Sequence, residues 1–131
     1  MPPLTDRAAA AALLDRWQRL QLQVRCALAP DHPGIVRIYV HVGLRIERCR
    51  LRTGLEVHQR LLRNLLATAA DEGLPWFWRS ICLENIDLPL ARLHSLLALH
   101  DPSSGDAWEQ AVQRLRDALP ATPARSSPGC G

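Results

Sequence analysis

The sequence has no lysine, and all 16 of its basic residues are arginine. It also lacks the glycine-rich phosphate loop, the GxSxG nucleophile motif and the HExxH zinc motif of common enzyme classes. No apolar run approaches the roughly 20 residues that cross a bilayer as a helix. These absences predict a protein that is not an enzyme and that has no membrane partner.

Cysteine is scarce and widely spaced, at positions 26, 49, 82 and 130. The CxxC pairs that mark zinc and redox sites are missing. A chain of this length buries enough surface to fold without cross-links, so we expect reduced thiols in a cytoplasmic protein. The apolar stretch at residues 8–14 is too short and too closely followed by charge for a signal peptide, so it is predicted to begin a helix.

The chain is rich in residues that form helices well. Leucine supplies 23 residues and alanine 17, and both rank with arginine as good helix formers. Apolar residues recur every three or four positions through most of the chain. We therefore predict an all-α fold, a compact bundle of about five helices in a single domain over residues 1–119. The proline-, serine- and glycine-rich residues 120–131 are predicted to form a disordered tail.

Residues 35–52 fit the pattern of a strand as well as that of a helix. Apolar and polar residues alternate from Ile38 to Glu47, as in a half-buried strand with β-branched side chains. The alternation stops after Glu47, whereas the sorting of residues at a helical period continues to Arg52. A lone strand would also have no partner in the rest of the chain. We predict a helix.

Local signals divide the remainder of the chain. Thr53 and Glu56 form the pattern of a capping box, which opens a helix. Pro89 cannot donate a backbone hydrogen bond, so the helix predicted over residues 75–100 is expected to kink or split near this proline. A last helix is predicted to begin at Asp106, after a loop, and to end at residue 119.

Positive charge is concentrated in residues 37–63, where seven arginines stand against two glutamates, a net charge of +5. On a helix, Arg37, Arg45, Arg48 and Arg52 fall within one narrow sector. Clustered arginines can bind phosphates or other anions, so these four are candidates for a nucleic-acid or anion site. The alternative is a solvated helix face, which is the usual role of a charge stripe. We favour that alternative and do not expect nucleic acid as a partner.

Three of the six aromatic residues stand together at positions 76–78. On a helix, Phe77 and Trp78 share one side, and Trp76 and Leu83 point to nearly the opposite side. Such a helix is either covered on both sides or exposes an apolar patch. Exposed tryptophan beside arginine is typical of binding anchors, so Trp76, Arg79 and Leu83 are candidates for contact with a protein partner or for self-association. We favour burial, because tryptophan is largely buried on average.

Metal binding is a further hypothesis for the thiols. The candidate ligands are Cys26, His32, Cys49 and Cys82, and the possible cofactors are iron or haem. Their spacing matches no standard metal motif. The alternative that we favour is that Cys49 and Cys82 face the core as small apolar residues. On that basis Cys26, Cys49 and Cys82 are predicted to react slowly with alkylating reagents.

Two segments together resemble a known family. They are Val24-Arg25-Cys26-Ala27-Leu28-Ala29-Pro30-Asp31-His32-Pro33 and Leu74-Pro75-Trp76-Phe77-Trp78-Arg79-Ser80-Ile81-Cys82-Leu83. With the leucine-rich stretch between them, they resemble the FagA family of small bacterial proteins, over about residues 24–97. That family is encoded beside a class II fumarase and a manganese superoxide dismutase in operons repressed by iron.

The resemblance implies a cytoplasmic role in iron starvation or oxidative stress, and it supplies no established activity. The main functional prediction is a non-enzymatic accessory or interaction protein in that response. The first alternative is an iron or haem binder that uses its cysteine and histidine side chains. The second is an arginine-mediated binder of nucleic acid or another anion.

Overall fold

Six helices form the part of the chain that the computed structural model describes, residues 4–119. No strand occurs in this range, which confirms the predicted all-α class. The predicted tail, including Cys130, lies outside the described residues. The helices are α1 (Leu4–Arg25), α2 (Gly34–Arg48), α3 (Gly54–Ala70), α4 (Trp76–Glu84), α5 (Asp87–Leu97) and α6 (Pro102–Ala118).

The ambiguous stretch is helix α2, as predicted, but the helix ends at Arg48 and does not reach Arg52. Arg50 adopts the left-handed backbone conformation, with φ of 58°. The amide of Leu51 then donates to the carbonyl of Ile46 at 3.1 Å, which closes the helix in the manner of a Schellman motif. Arg52 therefore does not lie on the same helix as the other three candidate arginines.

The helix predicted over residues 75–100 is split in two, which is why six helices form where about five were predicted. Helix α4 ends before Asn85 and α5 begins at Asp87. Pro89 is the third residue of α5, where the backbone amide needs no intrahelical acceptor. The break upstream of this proline is the one that its missing amide predicts.

Helix α6 begins at Pro102, so its predicted start at Asp106 is wrong. Asp101 is the N-cap, and its carboxylate accepts a hydrogen bond from the amide of Ser104 at 3.3 Å. A capping aspartate followed by proline at the first helical position is a strong start signal. The equivalent prediction for α3 is confirmed, because the Thr53 hydroxyl accepts from the amide of Glu56 at 3.2 Å.

Helix α3 is central and contacts all five of the other helices. Five of its apolar side chains are fully buried, namely Val57, Leu61, Leu62, Leu65 and Ala69, and the core around them includes Trp17 from α1 and Trp78 from α4. The indole nitrogen of Trp78 donates to the carbonyl of Val24 at 2.9 Å, in the last turn of α1, where carbonyls lack intrahelical donors. Between residues 4 and 119, no helix combines the length and apolar character needed to cross a bilayer.

Candidate interaction site

A groove lies between α1 and α2, with a volume of about 430 Å³. We call it the basic groove, because four arginines and one histidine line it and no carboxylate does. The lining residues are Arg16, Gly34, Arg37, Ile38, His41, Val42, Arg45 and Arg48.

The close packing of α1 on α2 places Arg16 beside the arginines of α2. Gly43 is buried in the middle of α2, and a Cβ at this position would lie 3.2 Å from Nε1 of Trp17 on α1. The absence of that Cβ lets the Trp17 ring pack against the backbone of α2. Arg16 precedes Trp17 in the chain and is exposed, so its side chain reaches the groove.

The four arginines of the basic groove are exposed, and none is paired within the described part of the chain. Their guanidinium groups form no ion pair or hydrogen bond with any residue in the described range of 4–119. Elsewhere the same side chain does find acidic partners: Arg25 contacts Asp71 at 2.8 Å, and Arg92 contacts Glu47 at 3.0 Å. Like charges gathered in a concave surface produce a positive potential that attracts an anionic ligand.

An apolar hollow continues from the basic groove along the same two helices. Its volume is about 520 Å³, and Arg16 and Arg45 line both depressions. The small side chains of α1 leave this hollow open, because alanine occupies three of its lining positions. The other members of the lining are Asp6, Ala9, Ala10, Ala12, Leu13, Cys49 and Leu51. The α1–α2 face thus offers a basic half and an apolar half side by side.

Arg52, the fourth arginine candidate from the sequence, lies in a separate depression at the start of α3. This depression also contains Arg48, Arg50 and Arg92, but Glu47 and Glu56 share it. The Arg52 guanidinium donates to the carbonyl of its neighbour Leu51 at 2.7 Å. The structure therefore brings Arg37, Arg45 and Arg48 into one groove and leaves Arg52 out.

Glu47 connects three helices beneath that depression. Its Oε1 lies 2.8 Å from Nε2 of the fully buried His58 on α3, and its Oε2 accepts from Arg92 on α5 at 3.0 Å. Partial burial tends to raise the pKa of Glu47, but the hydrogen bonds from His58 and Arg92 outweigh it and lower the pKa below its ordinary value. Glu47 is therefore an anion already neutralised by its own neighbours.

The three aromatic-segment candidates do not form an exposed patch. Leu83 belongs to the core and is 9% exposed, and Trp76 is partly buried against the same core. Arg79 donates through Nε to the carbonyl of Ala69 at 2.8 Å, which satisfies an acceptor in the last turn of α3. The most exposed ring of the segment is Phe77, at 40%, although the helical pattern placed it with buried Trp78.

The metal candidates from the sequence are dispersed. Cys26 and Cys49 are exposed free thiols and Cys82 is a buried one, so the prediction that Cys49 faces the core is wrong. The slow reaction predicted for Cys26 and Cys49 therefore has no support from burial. Cys49 lies just after the last residue of α2, so the helical periodicity that predicted a core-facing position does not apply to it. Burial raises the pKa of Cys82 to about 12. No group of three ligand-type side chains among the described residues includes Cys26, His32, Cys49 or Cys82.

Sequence reasoning missed Arg16 and the apolar hollow, because both depend on how α1 packs on α2. The run of small residues in α1 was a signal for a shallow surface, but nothing in the sequence paired it with α2. Searches against protein-family models, curated proteins and solved structures find no match to this chain. The resemblance to the FagA family stays a prediction.

Proposed function

We propose that this protein is a non-enzymatic interaction protein whose α1–α2 face binds an acidic, partly apolar segment of another protein. The observation that carries the proposal is the basic groove, where Arg16, Arg37, Arg45 and Arg48 converge without an acidic partner in the described chain. Carboxylates are the natural complement of guanidinium groups, which bind them through paired hydrogen bonds.

The apolar hollow favours a protein segment over nucleic acid. Single strands are usually bound by aromatic side chains on which bases stack, and the lining of the two depressions holds no phenylalanine, tyrosine or tryptophan. Duplex DNA is typically read by a helix that enters the major groove, whereas the arginines of α2 line a concavity closed on one side by α1. An amphipathic peptide can place carboxylates in the basic groove and apolar side chains in the hollow.

The length of the face sets the size of the segment. Arg37 and Arg48 are 11 positions apart on α2, a distance of about 16 Å along a helix axis. A bound helix of about 12–15 residues, with acidic and apolar residues on adjacent faces, would span both depressions. If the resemblance to the FagA family holds, the partner belongs to the cytoplasmic response to iron limitation or oxidative stress.

The direct test is the binding of a labelled synthetic peptide to the full chain, measured by fluorescence anisotropy. The probe is a helix-forming peptide of about 18 residues that carries glutamate on one face and leucine on the adjacent face. We expect it to bind at least about tenfold more tightly than a scrambled peptide of the same composition, a difference of about 1.4 kcal/mol. We also expect its affinity to fall as salt concentration rises.

Two variants of equal net charge separate the groove from general electrostatics. Arg37→Gln/Arg45→Gln removes two charges from the basic groove. Arg63→Gln/Arg114→Gln removes two exposed charges on α3 and α6 that have no ion-pair partner among the described residues. The first variant should weaken binding by about tenfold or more, and the second by less than about twofold. Equal losses in the two variants would overturn the proposal. Tighter binding of a short single-stranded or duplex DNA than of the peptide would instead favour nucleic acid.

A further inference from the structure

His94 on α5 faces two carboxylates on α6. Its Nε2 lies 3.9 Å from Oδ1 of Asp106 and 3.7 Å from Oε1 of Glu109, and all three ligand atoms lie within 4.8 Å of one another. Asp106 and Glu109 are three positions apart on one helix, so they project from the same side. We propose that these three side chains form a site for a divalent first-row transition-metal ion such as Zn²⁺.

The spacing of the ligand atoms suits such an ion after a small closure. Zinc binds imidazole nitrogen and carboxylate oxygen at about 2.0–2.2 Å, which places tetrahedral ligands about 3.4 Å apart. The two distances from His94 exceed that separation by a few tenths of an ångström. The Asp106 and Glu109 side chains are 66% and 51% exposed, so they can rotate to close the gap without disturbing the core.

The imidazole of His94 lies against the backbone of α6 where α5 and α6 cross. Gly105 is buried in the first turns of α6, and a Cβ there would lie 3.0 Å from Cδ2 of His94. Only the absence of a side chain at position 105 lets the ring lie this close to the backbone of α6. The nitrogen ligand is therefore already directed at the two carboxylates before any ion binds.

The two negative charges of Asp106 and Glu109 also favour the binding of a cation. Asp106 and Glu109 form no ion pair with an arginine of the described residues 6–119, and His94 is the one basic side chain within 4.0 Å of their carboxylates in that range. By contrast, Asp87 at the start of α5 is paired with Arg116. Two carboxylates with one imidazole form a mixed oxygen and nitrogen set, which suits zinc and related transition metals better than the all-oxygen preference of calcium or magnesium.

The site shares no residue with the basic groove, so the two proposals can fail separately. It also shares no residue with the metal candidates from the sequence, which are three cysteines and His32. A conservative change of His94 therefore tests this cluster, and the same change of His32 tests the competing set.

The experiment titrates Zn²⁺ into the full chain by isothermal calorimetry and compares His94→Asn with His32→Asn. We expect one zinc ion per chain, a loss of affinity of at least about tenfold in His94→Asn, and a change of less than about twofold in His32→Asn. Zinc should also raise the melting temperature of the wild type and fail to do so in His94→Asn, because only bound ligand stabilises the folded state.

Glu109→Gln provides a second variant on an exposed side chain, in case His94→Asn disturbs the α5–α6 packing. It should also weaken zinc binding while leaving the helical circular dichroism unchanged. Binding that survives both His94→Asn and Glu109→Gln, loss of binding in His32→Asn alone, or the absence of any zinc binding by the wild type would each overturn the proposal.

Discussion

Glu47 links α2 to α3 and α5, and its removal is expected to destabilise the fold. The ring of His58 is fully buried, and its Nδ1 has no hydrogen-bond partner among the residues that the structure describes. The contact between Nε2 and the Glu47 carboxylate, at 2.8 Å, is therefore the hydrogen bond that satisfies this imidazole within the described structure. Glu47→Ala leaves both ring nitrogens in the core without a partner.

The expected loss of stability in Glu47→Ala follows from how deeply each partner of Glu47 is buried. A buried polar group left unsatisfied costs about 1–3 kcal/mol. The lost contact with Arg92 adds about 0–1 kcal/mol, because that side chain is 51% exposed and solvent screens the pair. We expect Glu47→Ala to lower the free energy of unfolding by about 1–4 kcal/mol. Glu47→Gln retains an acceptor for His58 and should cost about 1 kcal/mol.

Urea unfolding at neutral pH, followed by circular dichroism, measures these differences. Glu72→Ala is the matched control, because Glu72 is exposed between α3 and α4 and its carboxylate contacts no other side chain in residues 6–119. It should change the free energy of unfolding by no more than about 0.5 kcal/mol. An equally small effect of Glu47→Ala would refute the argument that Glu47 satisfies a buried imidazole.

The pH dependence supplies a second check on the same network. The pKa of Glu47 is lower in the folded chain than its ordinary value of 4.5. The ionised Glu47 carboxylate therefore contributes fully to the free energy of unfolding above the pKa that Glu47 has in the unfolded chain. This contribution is lost as the pH falls through the pKa that Glu47 has in the folded chain. The stability difference between the wild type and Glu47→Gln should shrink below about pH 4.5. A difference that stays constant down to about pH 3 would contradict the lowered pKa.

The remaining predictions concern core packing and thiol reactivity. Gly43→Ala gains about 1 kcal/mol of helix propensity. Its Cβ would lie 3.1 Å from Cδ1 of Leu61 and 3.2 Å from Nε1 of Trp17, and overpacking costs about 1–3 kcal/mol. Thermal unfolding should therefore show a net loss of stability, and a melting temperature at or above the wild-type value would contradict the close packing of Leu61 and Trp17 around Gly43. Iodoacetamide should modify exposed Cys26 and Cys49 quickly and Cys82 only on unfolding, because Cys82 is buried and its pKa is raised to about 12. Mass spectrometry of the labelled peptides measures the order in which the cysteines are modified. Labelling of Cys82 as fast as that of Cys49 would disprove this prediction.

Local signals predicted much of the fold because they act over a few residues. The capping pattern at Thr53 and the missing amide of Pro89 act within a single turn, and both had the predicted effect. The predicted end of α2 was wrong by four residues. Arg50 adopts a positive φ, which is uncommon for a residue other than glycine and is not predicted from an arginine. The start of α6 was wrong because the Asp101-Pro102 signal was assigned to a loop.

The candidate sites depend on packing between helices, which a periodic pattern does not contain. Three of the four arginine candidates share one face because they share α2, and this much the helical period predicts. Arg16 joins them only because Trp17 packs against Gly43. His94 meets its two carboxylates only because Gly105 lets α5 and α6 approach closely. Residue spacing along the chain does not predict either of these contacts between helices.

Chemical-shift mapping of the isotopically labelled chain, titrated with the acidic amphipathic peptide, would test the interaction face most directly. We expect the shifted amides to cluster on α1 from Ala9 to Arg16, and from Arg37 on α2 to Cys49 just after it, the two ranges that hold most of the residues lining the depressions. The guanidinium signals of Arg37 and Arg45 should shift with them. Shifts that cluster on α5 and α6, or that spread evenly over all exposed arginines, would contradict binding at the α1–α2 face.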